Sequence, residues 1–235
     1  MITDLNPILY FFKMRLTYED LDAIPYFDEK GTLVSHMSRE RDEQIQAREH
    51  VPEDGHVLEL GGRYGTVSCS INVKLNDPTK HIAIEPDANV ISSLIRNKEA
   101  HFASFTIFNG VISKSDMIIA NPACEDKYGL YTTTQTTGTN ANLLPRMTLQ
   151  ELEEAHNIQF DCLVADCEGG LGPFFEDNAK RLKDFRVVMY EKDYPNLCDY
   201  NKIETCLREW GFQCIVNGFH SVWKKPKCMS ERMSE

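Results

Sequence analysis

The chain has 235 residues, of which 42% are hydrophobic and 26% are charged. This composition is typical of a soluble globular protein, and the length suits one α/β domain or at most two small ones. A formal net charge of −11 argues against a nucleic-acid partner, because the phosphate backbone attracts basic surfaces.

The eight cysteines form no C-x-x-C pair and do not lie with histidines at zinc-site spacing. We therefore interpret them as free thiols in a reducing compartment and predict a cytoplasmic location. The apolar stretch at residues 8–12 is too short for a signal-peptide core, and no apolar run approaches the length of a membrane span. No membrane partner is expected.

Residues 1–50 are predicted to form a helical extension or lid that packs on the core. Thr17 is a candidate N-cap of a short helix, and Gly31 suits a turn with positive φ. Ser38 is predicted to cap a charged helix over residues 38–49, which ends before Pro52. The charge of that helix is typical of a solvated face.

The main domain is predicted over residues 51–228, followed by a tail at 229–235. A buried strand at 56–60 ends in the turn Gly61-Gly62-Arg63-Tyr64-Gly65, which opens a helix. A second strand at 81–85 ends in Glu85-Pro86 and leads into an amphipathic helix. A third strand follows at 105–110, so strands and helices alternate.

The glycine turn departs from the dinucleotide fingerprint G-x-G-x-x-G, because Arg63 stands at its second glycine. That glycine lets a pyrophosphate approach the backbone, so Arg63 argues against NAD. The looser spacing Glu59-x-Gly61-x-x-x-Gly65 suits a ligand without pyrophosphate, such as S-adenosylmethionine. Glu85 at the end of the next strand could accept both hydroxyl protons of an adenosine ribose.

Residues 111–147 break this alternation and are predicted to be an insertion. Strand-like runs at 111–112 and 117–120 predict a hairpin. The threonine-rich segment at 131–140 predicts a mobile loop or an edge strand, which either touches a substrate or is an exposed insertion. Asn121-Pro122 resembles the N-P-P-Y signature of amino-group methyltransferases, but too few residues separate it from the third strand for a crossover helix, so we interpret it as a loop.

Regular alternation returns after the insertion. Thr148 and Glu151 form a candidate capping box at the start of a helix. The remaining predicted elements are a strand at 160–166, a helix at 171–182, a strand at 186–191, a helix at 203–210 and a hairpin over 212–223. The pattern predicts an α/β fold with a doubly wound, Rossmann-like, mostly parallel sheet and an antiparallel edge strand from the C-terminal hairpin.

Four acids lie at or near the carboxyl ends of the predicted parallel strands: Glu59, Glu85, Asp166 and Glu191. Ligands in such sheets bind outside these ends. Four acids on one rim repel one another and are not needed for a core, so they indicate a functional site.

Several motifs together resemble the FkbM family of class I S-adenosylmethionine-dependent methyltransferases, over roughly residues 55–224. They are the Leu58–Gly65 block, Ile84-Glu85-Pro86-Asp87-Ala88-Asn89, Thr148-Leu149-x-x-Leu152, Asp161–Gly169 with its D-x-E-G sequence, and Val188-Met189-Tyr190-Glu191. The chain departs from the family pattern at Glu59, which is usually Asp, at Gly62-Arg63, usually Ala-Asn, and at Val164, usually Lys. The resemblance implies methyl transfer to an oxygen, often a hydroxyl of a sugar or glycan, for instance a deoxyhexose such as rhamnose.

The resemblance and the residue chemistry together give a candidate site. The predicted cofactor-binding residues are Glu59, Gly61, Gly62, Arg63, Tyr64, Gly65, Glu85, Pro86, Asn109, Gly110, Val111 and Asp166. Glu59 could bind the amino group of the methionyl part or orient the turn, and Asn109-Gly110-Val111 should face the adenine.

An alcohol is a poor nucleophile, so a base beside it assists the transfer. The candidates are Asp166, then Glu168, then Glu191, although Glu168 and Glu191 could only orient neighbours or bind sugar hydroxyls. The three acids could instead hold Mg²⁺, but we favour a site without metal, because acids beside a cationic sulfonium already have a role. The alternatives to an enzyme of this type are a non-catalytic binding domain that keeps the fold and, less favoured, an NAD-dependent oxidoreductase. The oligomeric state stays open.

Overall fold

The computed structural model describes residues 16–120, 132–137 and 142–226. The strands are β1 Val57–Leu60, β2 His81–Glu85, β3 Thr106–Asn109, β4 Val111–Ile112, β5 Met117–Ala120, β6 Thr132–Gln135, β7 Arg146–Met147, β8 Cys162–Ala165, β9 Val187–Glu191, β10 Gln213–Val216 and β11 His220–Lys224. The helices are α1 Tyr18–Ala23, α2 His36–Arg39, α3 Arg41–His50, α4 Thr66–Lys74, α5 Ile91–Ala100, α6 Leu149–His156, α7 Leu171–Leu182 and α8 Tyr200–Glu209.

Seven strands form one sheet in the order β10-β11-β9-β8-β1-β2-β3. The five strands from β9 to β3 are parallel, whereas β11 pairs antiparallel with both β9 and β10. The doubly wound, mostly parallel sheet predicted from the sequence is confirmed, as is the C-terminal hairpin. The hairpin folds back so that its second strand, β11, lies inside the sheet and its first strand, β10, forms the edge.

The central strands are buried on both faces, as expected for parallel strands that helices cover on each side. Leu58 and Leu60 of β1 pack in the core cluster that contains α6, α7 and α8 residues. Val57 of the same strand packs on the opposite face with Ala47 of α3 and Ile71 of α4. Because β1 and β8 lie in the middle of the sheet, their carboxyl ends meet at the centre of one sheet edge.

The N-terminal segment begins as predicted, with Thr17 and Asp20 forming a reciprocal capping box at α1. The single helix predicted from Ser38 is wrong: α2 and α3 are separate, and the Ser38 hydroxyl lies within α2 and donates to the Ser35 carbonyl. The prediction that the charge run forms a solvated face fails at Glu43, which is buried because its side of α3 packs against the sheet layer.

The predicted hairpin between residues 111–112 and 117–120 is also wrong. β4 pairs parallel with β7, and β5 pairs antiparallel with β6. β4 has only two residues, so its partner is set by the packing of the chain around Pro145, whose carbonyl accepts from the Val111 amide at 2.9 Å. Part of the threonine-rich segment is extended, as β6. The Asn121-Pro122 pair lies outside the described residues.

The cysteines in the described part of the chain are free thiols: Cys69, Cys162, Cys167, Cys198, Cys206 and Cys214. Cys124 and Cys228 lie outside that part. None of the described helices is both long enough and apolar enough to cross a bilayer.

Candidate functional site

A cavity of about 400 Å³ opens at the carboxyl ends of β1, β2, β8 and β9. This size is within the usual range for sites that bind small molecules. Eleven of the predicted site residues line it: Gly61, Gly62, Arg63, Tyr64, Glu85, Pro86, Gly110, Val111, Asp166, Glu168 and Glu191. The sheet therefore brings most of the predicted cofactor-binding and catalytic residues around one space.

The turn after β1 is fixed by tight packing and by backbone hydrogen bonds. Gly61 has φ +94°, and a Cβ atom at this position would lie 1.7 Å from the Asp166 carbonyl oxygen. Only glycine allows this contact, which holds the ends of β1 and β8 together. The amides of Gly61 and Gly62 both donate to the Ile84 carbonyl, at 2.9 and 3.0 Å.

Glu85 at the end of β2 is only 2% exposed, yet it forms part of the cavity wall. Its Oε2 accepts from the Arg63 amide at 2.8 Å, and its Oε1 accepts from the Asp87 amide at 2.7 Å. Arg63 reaches this position with φ +35°, which is unusual for a residue with a side chain. The carboxylate is therefore held in one orientation by two backbone amides.

Three predicted cofactor-binding residues do not line the cavity. Glu59 points to the α3–α4 side of β1, where its Oε2 lies 2.9 Å from Nε2 of the buried His81. Direct binding of a ligand amino group by Glu59 is thus a wrong prediction, and the alternative that it orients the turn stays a prediction. Gly65 is the N-cap of α4, with φ +81°. The side-chain amide of Asn109 donates to the backbone carbonyls of Glu85 and Pro86 and so stabilises the chain after β2.

Three acidic groups crowd the opposite wall of the cavity. Asp166 and Glu168 follow β8, and Glu191 ends β9. Burial raises the pKa of Asp166. Burial and the neighbouring Asp166 charge raise the pKa of Glu168 to about 9 and that of Glu191 to about 11. A positive charge placed here would therefore be strongly stabilised.

The backbone of this wall is strained. Glu168 has φ +51° and is followed by Gly169 at φ +84°. A left-handed conformation costs a residue with a side chain about 1–2 kcal/mol, and it persists only where the surroundings impose it. Strained residues of this kind cluster at functional sites, and Arg63 and Glu168, both with positive φ, line this cavity.

Several residues of the site were not predicted from the sequence. Glu40 and Glu43 line the cavity from the N-terminal segment, and Thr133 lines it from the insertion. Glu43 lies on the same side of α3 as the buried Gln44 and Ala47, which only the packing of α3 reveals. Asp193 was also missed, although its spacing after Glu191 repeats the acid-x-acid pattern of Asp166 and Glu168.

Neither a family model nor a curated protein matches the chain. Among solved structures, precorrin-6y C5,15-methyltransferase from Geobacter metallireducens is similar, with a TM-score of 0.49 and 12% identity over 82% of this chain and 93% of that one. A proposed O-methyltransferase from Klebsiella pneumoniae has a TM-score of 0.46 and 14% identity over 82% of this chain and 84% of that one. A proposed tRNA (m1A22) methyltransferase from Streptococcus pneumoniae, solved with S-adenosyl-L-methionine, has a TM-score of 0.43 and 14% identity over 82% and 77%. Similarities of this size do not extend any activity or ligand of those proteins to this chain.

Proposed function

We propose that the chain is an S-adenosylmethionine-dependent O-methyltransferase of FkbM type that acts on a hydroxyl of a sugar or glycan. The observation that carries the proposal is the arrangement of two acidic walls in one cavity. Glu85 is fixed beside the glycine turn, and Asp166, Glu168 and Glu191 lie on the other side. The first wall suits an adenosine ribose, and the second suits a sulfonium and a hydroxyl that must lose its proton.

The glycine turn favours this cofactor over a dinucleotide. A pyrophosphate needs free backbone amides at the turn. Here the amides of Gly61 and Gly62 donate to Ile84, and the amide of Arg63 donates to Glu85. The Glu85 carboxylate in the cavity wall is the group that we assign to the two hydroxyl protons of a ribose. An NAD-dependent oxidoreductase is therefore disfavoured.

Bound in this cavity, S-adenosylmethionine supplies an electrophilic methyl group on a positively charged sulfur. The residues of the chain align the acceptor hydroxyl, exclude water and take up the proton. Asp166 is the first candidate for the base, and Glu168 and Glu191 follow. Their raised pKa values favour the protonated acids, and a neighbouring sulfonium lowers these pKa values toward the ionised, basic form.

The charge of the cavity supports a neutral acceptor over one rich in phosphate. Its described lining residues include six acids and one basic side chain, Arg63. The acids are Glu40, Glu43, Glu85, Asp166, Glu168 and Glu191. Carboxylates accept hydrogen bonds from sugar hydroxyls and repel phosphates, so a polyhydroxylated acceptor fits better than RNA. The free thiols described above fit the predicted reducing, cytoplasmic location.

Calorimetry with S-adenosylmethionine and a methyl-transfer screen test the proposal. The screen should include glycans, monosaccharides and an RNA pool, with and without a chelator. We expect cofactor binding and methylation of a carbohydrate by the wild type, and loss of turnover in Asp166→Asn. A chain that does not bind the cofactor contradicts the proposal and leaves a non-catalytic binding domain. Methylation of RNA alone overturns the acceptor class.

A further inference from the structure

Three carboxyl groups converge at the ends of the neighbouring strands β8 and β9. Asp166 follows β8, Glu191 ends β9, and Asp193 lies two residues farther along the chain. One oxygen from each group lies within 4.8 Å of the other two. The parallel pairing of Ala165 with Tyr190 places these strand ends side by side.

Two of these carboxyl groups present buried oxygens without a donor. Asp166 Oδ1 and Asp193 Oδ2 are inaccessible to solvent and accept no hydrogen bond within the described part of the chain. The other oxygen of Asp193 accepts from the Tyr194 amide at 2.7 Å and from the Tyr200 hydroxyl at 2.5 Å. Asp193 is thus held in place while Oδ2 lacks a partner. A buried carboxylate oxygen of this kind requires a donor or a cation.

The surroundings add negative charge to this cluster. Glu43 of α3 is 7% exposed, lines the same cavity and lies close enough to Asp166 for their charges to interact. Among the basic side chains around it, Arg63 lines the same cavity, and its charge acts on Asp166. Lys192 binds Glu204 on α8, and His220 lies beside Glu191, with 3.6 Å between Nε2 and Oε1.

We propose that Asp166, Glu191 and Asp193 bind one divalent cation of the oxygen-preferring class, such as Mg²⁺, Mn²⁺ or Ca²⁺. All three donors are carboxylate oxygens, which these ions prefer. Two ligands of one ion lie at most twice the metal–oxygen distance apart, about 4.2 Å for Mg²⁺ and about 5 Å for Ca²⁺. The three oxygens lie no more than 4.8 Å from one another, which is close enough for one such ion to contact all three groups. The sequence alone favours a site without metal, because acids beside a sulfonium already have a role, and it offers Glu168 as the third donor where the structure has Asp193.

The role of the cation rests on the proposed function, although its binding does not. Three protein donors leave coordination positions for water or an acceptor hydroxyl, and a coordinated hydroxyl loses its proton more easily. Asp166 would then hold the ion, and Glu168, which lines the same cavity without belonging to the cluster, would become the base.

Titration with Mn²⁺, followed by the electron paramagnetic resonance signal of the free ion, tests the site without S-adenosylmethionine. Calorimetry with Mg²⁺ and Ca²⁺ accompanies it. The test variants are Asp193→Asn and Glu191→Gln. The control is Glu176→Gln, which removes an exposed acid that pairs with Lys202 on the outer side of α7. Circular dichroism establishes that each variant is folded.

We expect one saturable Mn²⁺ site in the wild type and in Glu176→Gln, with affinity at least tenfold lower in each test variant. Absence of saturable binding in the wild type overturns the proposal, as does unchanged affinity in a folded Asp193→Asn or Glu191→Gln variant. Calorimetry with S-adenosylmethionine separates the two proposals. Cofactor binding without Mn²⁺ binding refutes the metal site alone, and Mn²⁺ binding without cofactor binding refutes the proposed methyltransferase alone.

Discussion

The substitution Glu85→Gln tests the assignment of the ribose site. The two oxygens of Glu85 accept hydrogen bonds from the amides of Arg63 and Asp87, and in the proposed complex they also accept from the ribose hydroxyls. Glutamine has an NH₂ group in place of one carboxylate oxygen. This group is a donor and would face a backbone amide and a ribose hydroxyl, which are donors too, so the hydrogen bonds on that side are lost. A hydrogen bond to a charged group contributes about 1.5–3 kcal/mol. Losing one such bond to the ribose weakens S-adenosylmethionine binding by about 2 kcal/mol, roughly thirtyfold in Kd.

Calorimetric titration with S-adenosylmethionine measures this change, and Glu59→Gln provides the matched control. Glu59 is an equally buried acid on the adjacent strand, but it contacts His81 and does not line the cavity. We expect Glu59→Gln to lower the free energy of unfolding by about 1 kcal/mol while cofactor affinity stays within about threefold. If a folded Glu85→Gln variant binds the cofactor as tightly as the wild type, Glu85 is not the ribose acceptor.

Two further predictions concern stability. Gly61→Ala should lower the free energy of unfolding by about 3 kcal/mol or more, because its Cβ would clash with the Asp166 carbonyl. Gly211 has φ +85° and open space around a new Cβ, so Gly211→Ala should lower the free energy of unfolding by only about 1 kcal/mol. Denaturant titrations measure both variants, and equal losses of stability in the two would show that the clash at Gly61 is relieved. Asp22→Asn should lower the free energy of unfolding by about 2 kcal/mol at pH 7, since Asp22 on α1 pairs with Arg41 and Arg48 on α3. Burial alone would raise the pKa of Asp22, but these arginines hold it well below its usual range. The carboxylate therefore stabilises the fold above about pH 4, and the difference in unfolding free energy between Asp22→Asn and the wild type should shrink as the pH falls below that value. If that difference does not depend on pH, the ion pairs do not account for it.

The fold could be predicted because its main elements carry strong local signals. The strand at 81–85 and the helix at 171–182 have the predicted bounds, and Thr148 with Glu151 forms the predicted capping box. Each combines an apolar run with a clear start or stop. The insertion lacked such signals. Threonines favour an extended chain but do not specify the partner strand, so the pairing of β5 with β6 could not be predicted.

Site residues were predicted best where they end a strand or directly follow one. Glu85 and Asp166 lie at strand ends, where topology alone places them on the rim. Glu59 lies one residue before the end of β1, and the alternation of side chains directs it away from the cavity. Glu43 was missed for a different reason. An acid within a charged helix resembles a surface residue until the packing of that helix is known.

The position of Glu43 changes what the N-terminal segment contributes to the protein. Val34, Glu40 and Glu43 share a cavity with residues from the ends of β1, β2 and β8. A ligand that fills this space touches both parts of the chain, so its binding free energy also holds the segment on the sheet. By thermodynamic reciprocity, docking of the segment strengthens ligand binding by the same free energy that the bound ligand adds to docking. Residues 34–50 are thus a coupled part of the binding equilibrium, and ligand affinity reports on how firmly they are docked.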